Sequence, residues 1–461
     1  MPRPASHPRT KPRRWLRVLA WGVPAALVLG IAGLFVAKAA IDAYLRSEDF
    51  RRFVAGKAGV TLHAEAEVAS LQFTGTSVYG ESFHARGGKE AAFSELHLDG
   101  LRAELSLRRF FEKVWQVDSV DVQRVSVRLD GPRAILPEAP PSIPAKESTG
   151  GGGWLPDRVE IAQTTVQDAN LIWAGGKLSG VAVQIAPESG GWRIAGSGGQ
   201  IAQAGLPALD VRSARLLYRA PSLYVQDAEF HQPGGGIVTA IGEVNFEDRA
   251  DITAKLERIA LTPFLTDDWR VRLRGNASGE VKVRARLPLR DAPEVTGTLV
   301  LADGELEALP VLDQIAAFTR TQQFRRLKLT RASADFRHSG PRLAVTNFVA
   351  ESEGLIRMEG SFTIEGGRMD GIFQVGVTST SLQWLPGSQA RVFTESRAGY
   401  LWTPVRMSGP LSKPDEDLTP RLIAAAGDAA IETVKGAVNE TIKAGKDAVK
   451  GAFDLLLSPP K

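Results

Sequence analysis

From residue 273 to 287 the chain reads LRGNASGEVKVRARL, and after Glu280 every second residue is apolar. Val281, Val283, Ala285 and Leu287 then fall on one side of an extended strand, with Lys282, Arg284 and Arg286 on the other. This period of two does not fit a helix. It describes a strand with one apolar and one charged face. The motif returns about every ten residues, separated by glycine-containing turns, in GGWRIAGSGG, GGGIVTAIGEVNF, PEVTGTLVLADGEL, GLIRMEGSFTIEGGRMDGIFQVGV and PVRMSGPL. An antiparallel meander reads this way. Upstream, Val120 and Val122 alternate with polar residues, and so do Val125, Val127 and Leu129; the slip at Gln123-Arg124 predicts a bulge.

About 20 such strands carry one large apolar face that has to be covered. Helical pattern is confined to about 48–58, 309–320 and the C-terminal tail, too little for a covering layer. The sheet therefore closes on itself as a sandwich or solenoid, or curls into a trough whose lining stays open to an apolar ligand. The expected fold class is mainly β, a long antiparallel sheet, with these alternatives open. One N-terminal transmembrane helix, a short helix inside the C-terminal β-module and a C-terminal amphipathic helix complete it.

The ends of the chain say where that sheet works. Residues 18–37 are free of charge, and as a helix they span about 30 Å, the thickness of a bilayer core. Trp15 and Trp21 sit at the start, where interfacial aromatics belong. Arg3, Arg9, Lys11, Arg13, Arg14 and Arg17 precede the segment without an acidic residue. They place the N-terminus in the cytoplasm and everything after residue 38 across the membrane. A cleaved signal peptide, with Ala37-Lys38-Ala39 as the small-residue site, is the alternative, and the length of the apolar run favours the anchor. Net charge is +4, of which this head supplies +6, so the remainder carries −2 and offers no basic surface for nucleic acid. Cysteine is absent, which excludes disulfides, thiol nucleophiles and thiolate metal sites.

The expected organisation is a basic cytoplasmic tail (1–14), an anchor (15–38), and a helix followed by a β-module (39–135). A Pro/Gly-rich linker (136–153), a β-groove (154–415) and an amphipathic tail (416–461) follow. Ser47 is the predicted N-cap of the short helix, with Glu48 and Asp49 in its first turn. In the tail, Ile431, Val434, Val438, Ile442, Gly445, Val449, Phe453 and Leu456 repeat every 11 residues, a straight apolar stripe. Gly436, Gly445 and Gly451 weaken that helix, which needs a membrane surface or the protein's own sheet to dock on.

Motifs for chemistry are missing. The six histidines are scattered, with no pair at i, i+3 or i, i+4, and no metal site is indicated. GSGGQ (196–200) lacks the Lys-Ser/Thr pair of a phosphate loop and reads as a turn. Asp267 and Asp268, beside Trp269, read as a loop with a buried Trp. There is no G-x-S-x-G or H-E-x-x-H, so the expectation is a non-enzyme with no cofactor.

One stretch breaks the strand rhythm. In GTLVLADGELEALPVLDQIAAFTRTQQFRRLKLTRASADF (297–336), Pro310 opens a short helix on which Val311, Leu312, Ile315 and Phe318 share an arc. A helix that short is unstable alone, so it is expected to rest on the sheet, as a lid or plug at one end of the trough. This stretch, with 354–377 and LWTPVRMSGPLSKP (401–414), resembles the C-terminal module of the AsmA-like family. SEDFRRFVAGKAGV after the anchor is similar too. The resemblance implies a single-pass protein of the bacterial inner membrane with its bulk in the periplasm. It selects the trough among the alternatives, a long curled antiparallel β-sheet groove of the repeating type that binds phospholipid acyl chains and helps carry lipid toward the outer membrane. Envelope protein partners, or membrane contact by the tail, complete that picture; an assembly factor for outer-membrane proteins, acting without lipid transfer, is the alternative. Alternation puts Val281, Val283, Leu287, Leu299, Leu301, Phe336, Phe362, Ile364, Phe373 and Val375 on the apolar face, and the resemblance implies that this face lines the groove.

Overall fold

The computed structural model describes residues 47–425, apart from 75, 107–113, 133–157, 266, 288–290, 308–324, 384–387 and 412–413. The expected anchor, the linker, the groove helix with Val311, Leu312, Ile315 and Phe318, and the tail stripe lie outside the described residues. Among the described residues no helix is long and apolar enough to cross a membrane. The chain forms two units, residues 1–174 and 175–461, and strands dominate both.

The first unit opens with α1 (Glu48–Leu62), a turn longer than its sequence pattern suggests. His63, at φ 50°, ends it. Then come β1 (Ala64–Val68), β2 (Leu71–Thr74), β3 (Ser77–Gly87), β4 (Glu95–Ser106), β5 (Val114–Arg128), β6 (Arg158–Ile161) and β7 (Thr164–Trp173). β1 and β2 both pair with β3, and β3, β4 and β5 follow as an antiparallel meander. β6 and β7, however, run parallel to β5. A parallel return needs about a dozen connecting residues, and the Pro/Gly-rich segment before Arg158 supplies them.

The predicted bulge at Gln123-Arg124 is not there. Leu101 pairs with Val122 and Asp99 with Arg124 in unbroken register; the register shift lies between Val117 and Ser119 instead. Local alternation cannot show which partner strand absorbs a slip. Ala64, Ala85, Ala91 and Phe93 form the small core of this unit, backed by Phe83, Leu96 and Val127. Across the parallel pair, the Arg124 guanidinium donates to Asp168 at 2.7 Å and Asn170 adds a bond of 2.9 Å. Together they hold the Asp168 carboxyl below its ordinary range.

The second unit begins with β8 (Gly176–Glu188), β9 (Gly191–Ser197), β10 (Gln200–Gln203), β11 (Leu209–Arg219) and β12 (Ser222–His231). It continues through β13 (Ile237–Asn245), β14 (Arg249–Ala260), β15 (Leu273–Arg286), β16 (Glu294–Glu307), β17 (Arg326–Leu329) and β18 (Arg331–Ser339). β19 (Arg342–Ser352), β20 (Ile356–Glu365), β21 (Arg368–Thr378), β22 (Glu395–Arg397), β23 (Tyr400–Pro410) and β24 (Asp415–Glu416) end it. From β11 to β16 and from β18 to β21 each strand pairs with the next, antiparallel throughout. β16 also pairs with β18, and β21 with β23, so the meander is continuous. GSGGQ is the turn between β9 and β10: Gly198 and Gly199 have positive φ, and a Cβ on Gly199 would lie 2.2 Å from the Ser179 carbonyl. Asp267 and Asp268 belong to α2 (Asp267–Arg270), a helical turn rather than a loop, and Trp269 is only half-buried.

The main core sits at one end of the last strands. Val375, Val377, Val405, Ile356 and Leu327 pack under α3 (Ser379–Leu382), α4 (Ser388–Arg391) and a helix described over 418–425, called α5. Leu418, Leu422 and Ala425 are buried there while Ile423 is exposed. The first turns of the predicted tail therefore dock on the protein's own sheet. The same segment seals the outer edge of β23. β22 covers Tyr400–Trp402, Arg421 reaches Thr403 Oγ1 and the Pro404 carbonyl, and Asp417 accepts the Arg406 N–H. β24 covers Met407 and Ser408. An edge left bare would invite another strand.

Candidate functional site

The strand register of the second unit lays apolar residues side by side in rows that cross the sheet. One row runs Val183, Gly196, Ala214, Ala228, Ala240, Ala254, Val281, Gly297, Phe336, Val345, Phe362, Gly371 and Met407, each residue opposite the next. A flanking row runs Val211, Phe230, Val238, Leu256, Gly279, Leu299 and Ala334. The other flank holds Leu216, Val225, Gly242, Ile252, Val283 and Val295. At about 4.8 Å per strand the first row is roughly 60 Å long. That is shorter than the ~100 Å reached by giving every strand a place in one groove.

Burial follows the same alternation. Val281, Val283 and Leu287 are half-buried, whereas Lys282, Arg284 and Arg286 between them are exposed. Leu299 and Leu301 are half-buried, and Val300 is 51% exposed. By the register, Val281, Val283, Leu299, Leu301, Phe336, Phe362, Ile364, Phe373 and Val375 lie on one face of the sheet. They do not share one environment, however. Phe336, Phe362 and Ile364 are half-buried, but Phe373 and Val375 are 3% and 2% exposed, with Val375 in the closed core under the short helices. Alternation assigns a face; only the position of α3–α5 decides which part of that face is shut.

Strict alternation missed Phe348. A bulge between Val345 and Phe348, with Asn347 at φ 50°, brings its ring onto the apolar side. There its centroid lies 5.9 Å from Phe362 and 6.0 Å from Phe373, forming an aromatic cluster where the open face meets the closed core. No period-two reading could have found it. The alanines of the central row were equally silent, since their importance lies in being opposite one another.

The other face of the sheet is polar. Cross-strand pairs such as Arg284–Asp251 at 3.2 Å and Arg215–Asp227 at 3.1 Å, and the same-strand pair Lys282–Glu280 at 3.2 Å, cover it, all substantially exposed. Such pairs contribute little to stability and mainly keep that face wet. Near β23 a tighter network joins Arg357 to Glu351 and Glu359, and Arg397 to Glu359. Burial pushes the Glu359 carboxyl up, but the two guanidinium bonds outweigh it and leave the group below its ordinary value. Arg397 also stacks over the Trp402 ring at 4.3 Å and clips β22 in place. Among the described residues no group of three or more His, Asp or Glu side chains is arranged to hold a metal.

Comparison with known proteins brings no match: no protein family, no curated protein and no solved structure matches the chain. What the apolar face can do must be read from its own chemistry. It offers side chains without hydrogen-bonding groups, and such a surface gains about 0.8 kcal/mol for each CH₂ that it removes from water.

Proposed function

We propose that this chain is a membrane-anchored β-groove protein of the AsmA-like type, which holds phospholipid acyl chains on the apolar face of its second unit. It moves or buffers those lipids between the inner and outer membranes of a bacterial envelope. Anchored by residues 15–38, it keeps its bulk in the periplasm, without catalysis or cofactor. The observation that carries this reading is the asymmetry of burial along β15. A single layer of sheet exposes both faces equally if flat. Here the apolar side chains are half-buried and the charged ones exposed, which is what curling toward the apolar side produces. The resemblance of 297–336 to the AsmA-like module points the same way.

A photo-crosslinking residue at Val283, with Arg284 as control, tests it in the full chain in membranes. Lipid adducts at 283 and not at 284 are expected. Absence of adducts at 283, or equal yields at both positions, overturns the groove. A second reading has its own observation in the dry core under α3–α5: a scaffold for envelope protein assembly, acting through partners. It predicts protein adducts at Val283 in place of lipid.

A further inference from the structure

We propose that the strand ends joining β8 to β9, β11 to β12 and β13 to β14, together with the end of β15, form a lip. This lip docks on the surface of an anionic phospholipid bilayer. The proposal rests on the groove reading and adds where lipid enters.

The turns are tied into one edge. The Phe246 N–H donates to the Pro221 carbonyl at 3.1 Å, and the Leu287 N–H to the Asp248 carbonyl at 2.7 Å. On the apolar side of this edge sit Trp192, opposite Tyr218 in the register, and Phe246, whose ring centroid is 6.4 Å from that of Tyr218. Trp192 is 39% exposed and Phe246 53%. Exposed aromatics flanking an apolar surface suit the headgroup zone of a bilayer, where one side of each ring is apolar and the other wet.

On the polar side of the same edge, Arg249 lies directly opposite Arg286. Both are exposed, and among the described residues neither they nor Arg219 has an ion-pair partner. Like charges facing across an antiparallel pair destabilise it. A neighbouring carboxylate normally relieves that, as Asp251 does for Arg284 two pairs further in. Arg249 and Arg286 lack that relief, and an anion from outside the protein would provide it. The other charges on the edge are Glu188, which faces Arg193 at 3.8 Å, Glu247 and Asp248 on the β13–β14 turn, and Asp291 in the connection after β15. These last three carboxylates match the three arginines in number, so it is the facing pair Arg249 and Arg286, and not an excess of positive charge, that offers an anion a place. The opposite strand ends are built differently: the Gln232 side chain, 4% exposed, is bonded to both the N–H and the carbonyl of Ala260, a sealed edge. Phe264, 39% exposed, and Arg258 also lie at those opposite ends, but there Arg274 stands opposite Glu305 and, among the described residues, no two arginines face each other.

The chain has no cysteine, so a single Phe246→Cys substitution can carry an environment-sensitive fluorophore. Ile372→Cys, at a position 65% exposed on the polar face, is the control. The full chain, held in nanodiscs of phosphatidylcholine, is titrated with vesicles of phosphatidylcholine and phosphatidylglycerol in equal parts, or of phosphatidylcholine alone. A blue shift at 246 but not at 372, only with the anionic vesicles, is expected. Arg249→Glu with Arg286→Glu is expected to weaken that response about tenfold, while leaving Val283 photo-adducts in place. No shift at 246, an equal shift at 372, indifference to phosphatidylglycerol, or indifference to the two arginines overturns the lip. If the lip fails while Val283 still forms lipid adducts, the groove stands without it. If Val283 forms none while 246 still responds, the groove falls and the edge remains a membrane contact.

Discussion

Replacing Leu418 by Ala tests whether the start of the tail truly closes the end of the apolar face. Leu418 is 1% exposed and packs in the cluster that contains Val375, Val377, Val405 and Phe393. The substitution removes three carbons at about 0.8 kcal/mol each, roughly 2.4 kcal/mol before any cavity is counted. Divided by 1.4 kcal/mol per tenfold change, that is on the order of a 50-fold rise in the population of the opened state. Two units make a single global unfolding free energy ill-defined, so the assay should be local. Native-state hydrogen exchange reports the opening of β21 and β23 amides strand by strand. Those amides should exchange about 50-fold faster in Leu418→Ala, with β11–β14 unchanged. Ile423→Ala, on the exposed side of the same helix at 38%, should change exchange only slightly. Equal effects from the two substitutions, or no effect on β21 and β23, would refute the idea that α5 stabilises this end.

Gly279→Ala should weaken the second unit by about 1–3 kcal/mol, because its Cβ would lie 2.0 Å from the Thr298 carbonyl oxygen; a loss of exchange protection in β15 and β16 checks it. Gly56→Ala should do the opposite, since it sits in α1 with nothing within 4 Å of a new Cβ. A gain of about 0.5–1 kcal/mol in helix protection is expected. Asp168 sets an acid limit on the parallel strands of the first unit. Its folded pKa is depressed, so its contribution is complete above the ordinary carboxyl value near 4 and is lost as pH falls through the lower folded value. Protection of β5 and β7 amides, taken relative to the intrinsic exchange rate at each pH, should therefore fall with acidification below about pH 4, and Asp168→Asn should abolish that fall.

Some of this protein could be read from its residues alone. Side chains alternate across a strand, so Val281 and Val283 had to share a face that Lys282 and Arg284 do not. Glycine pairs such as Gly198-Gly199 mark turns because side chains resist positive φ. Both facts are local, and the expected meander of the second unit follows from them. Phe348 shows the limit of that reasoning, because a bulge shifts the parity on which it depends. Pairing, by contrast, is a relation between distant segments. That β6 and β7 lie parallel to β5, or that a register shift falls at Asp118, depends on partners the local pattern does not contain. The same holds for the central row of alanines, which becomes a row only when four strands align. Val375 and Val283 have nearly the same local pattern, yet α5 folds back to shut one and not the other. Strand period determined which side of the chain is apolar; only the tertiary structure decided how much of that side remains open, because covering it depends on where the chain returns.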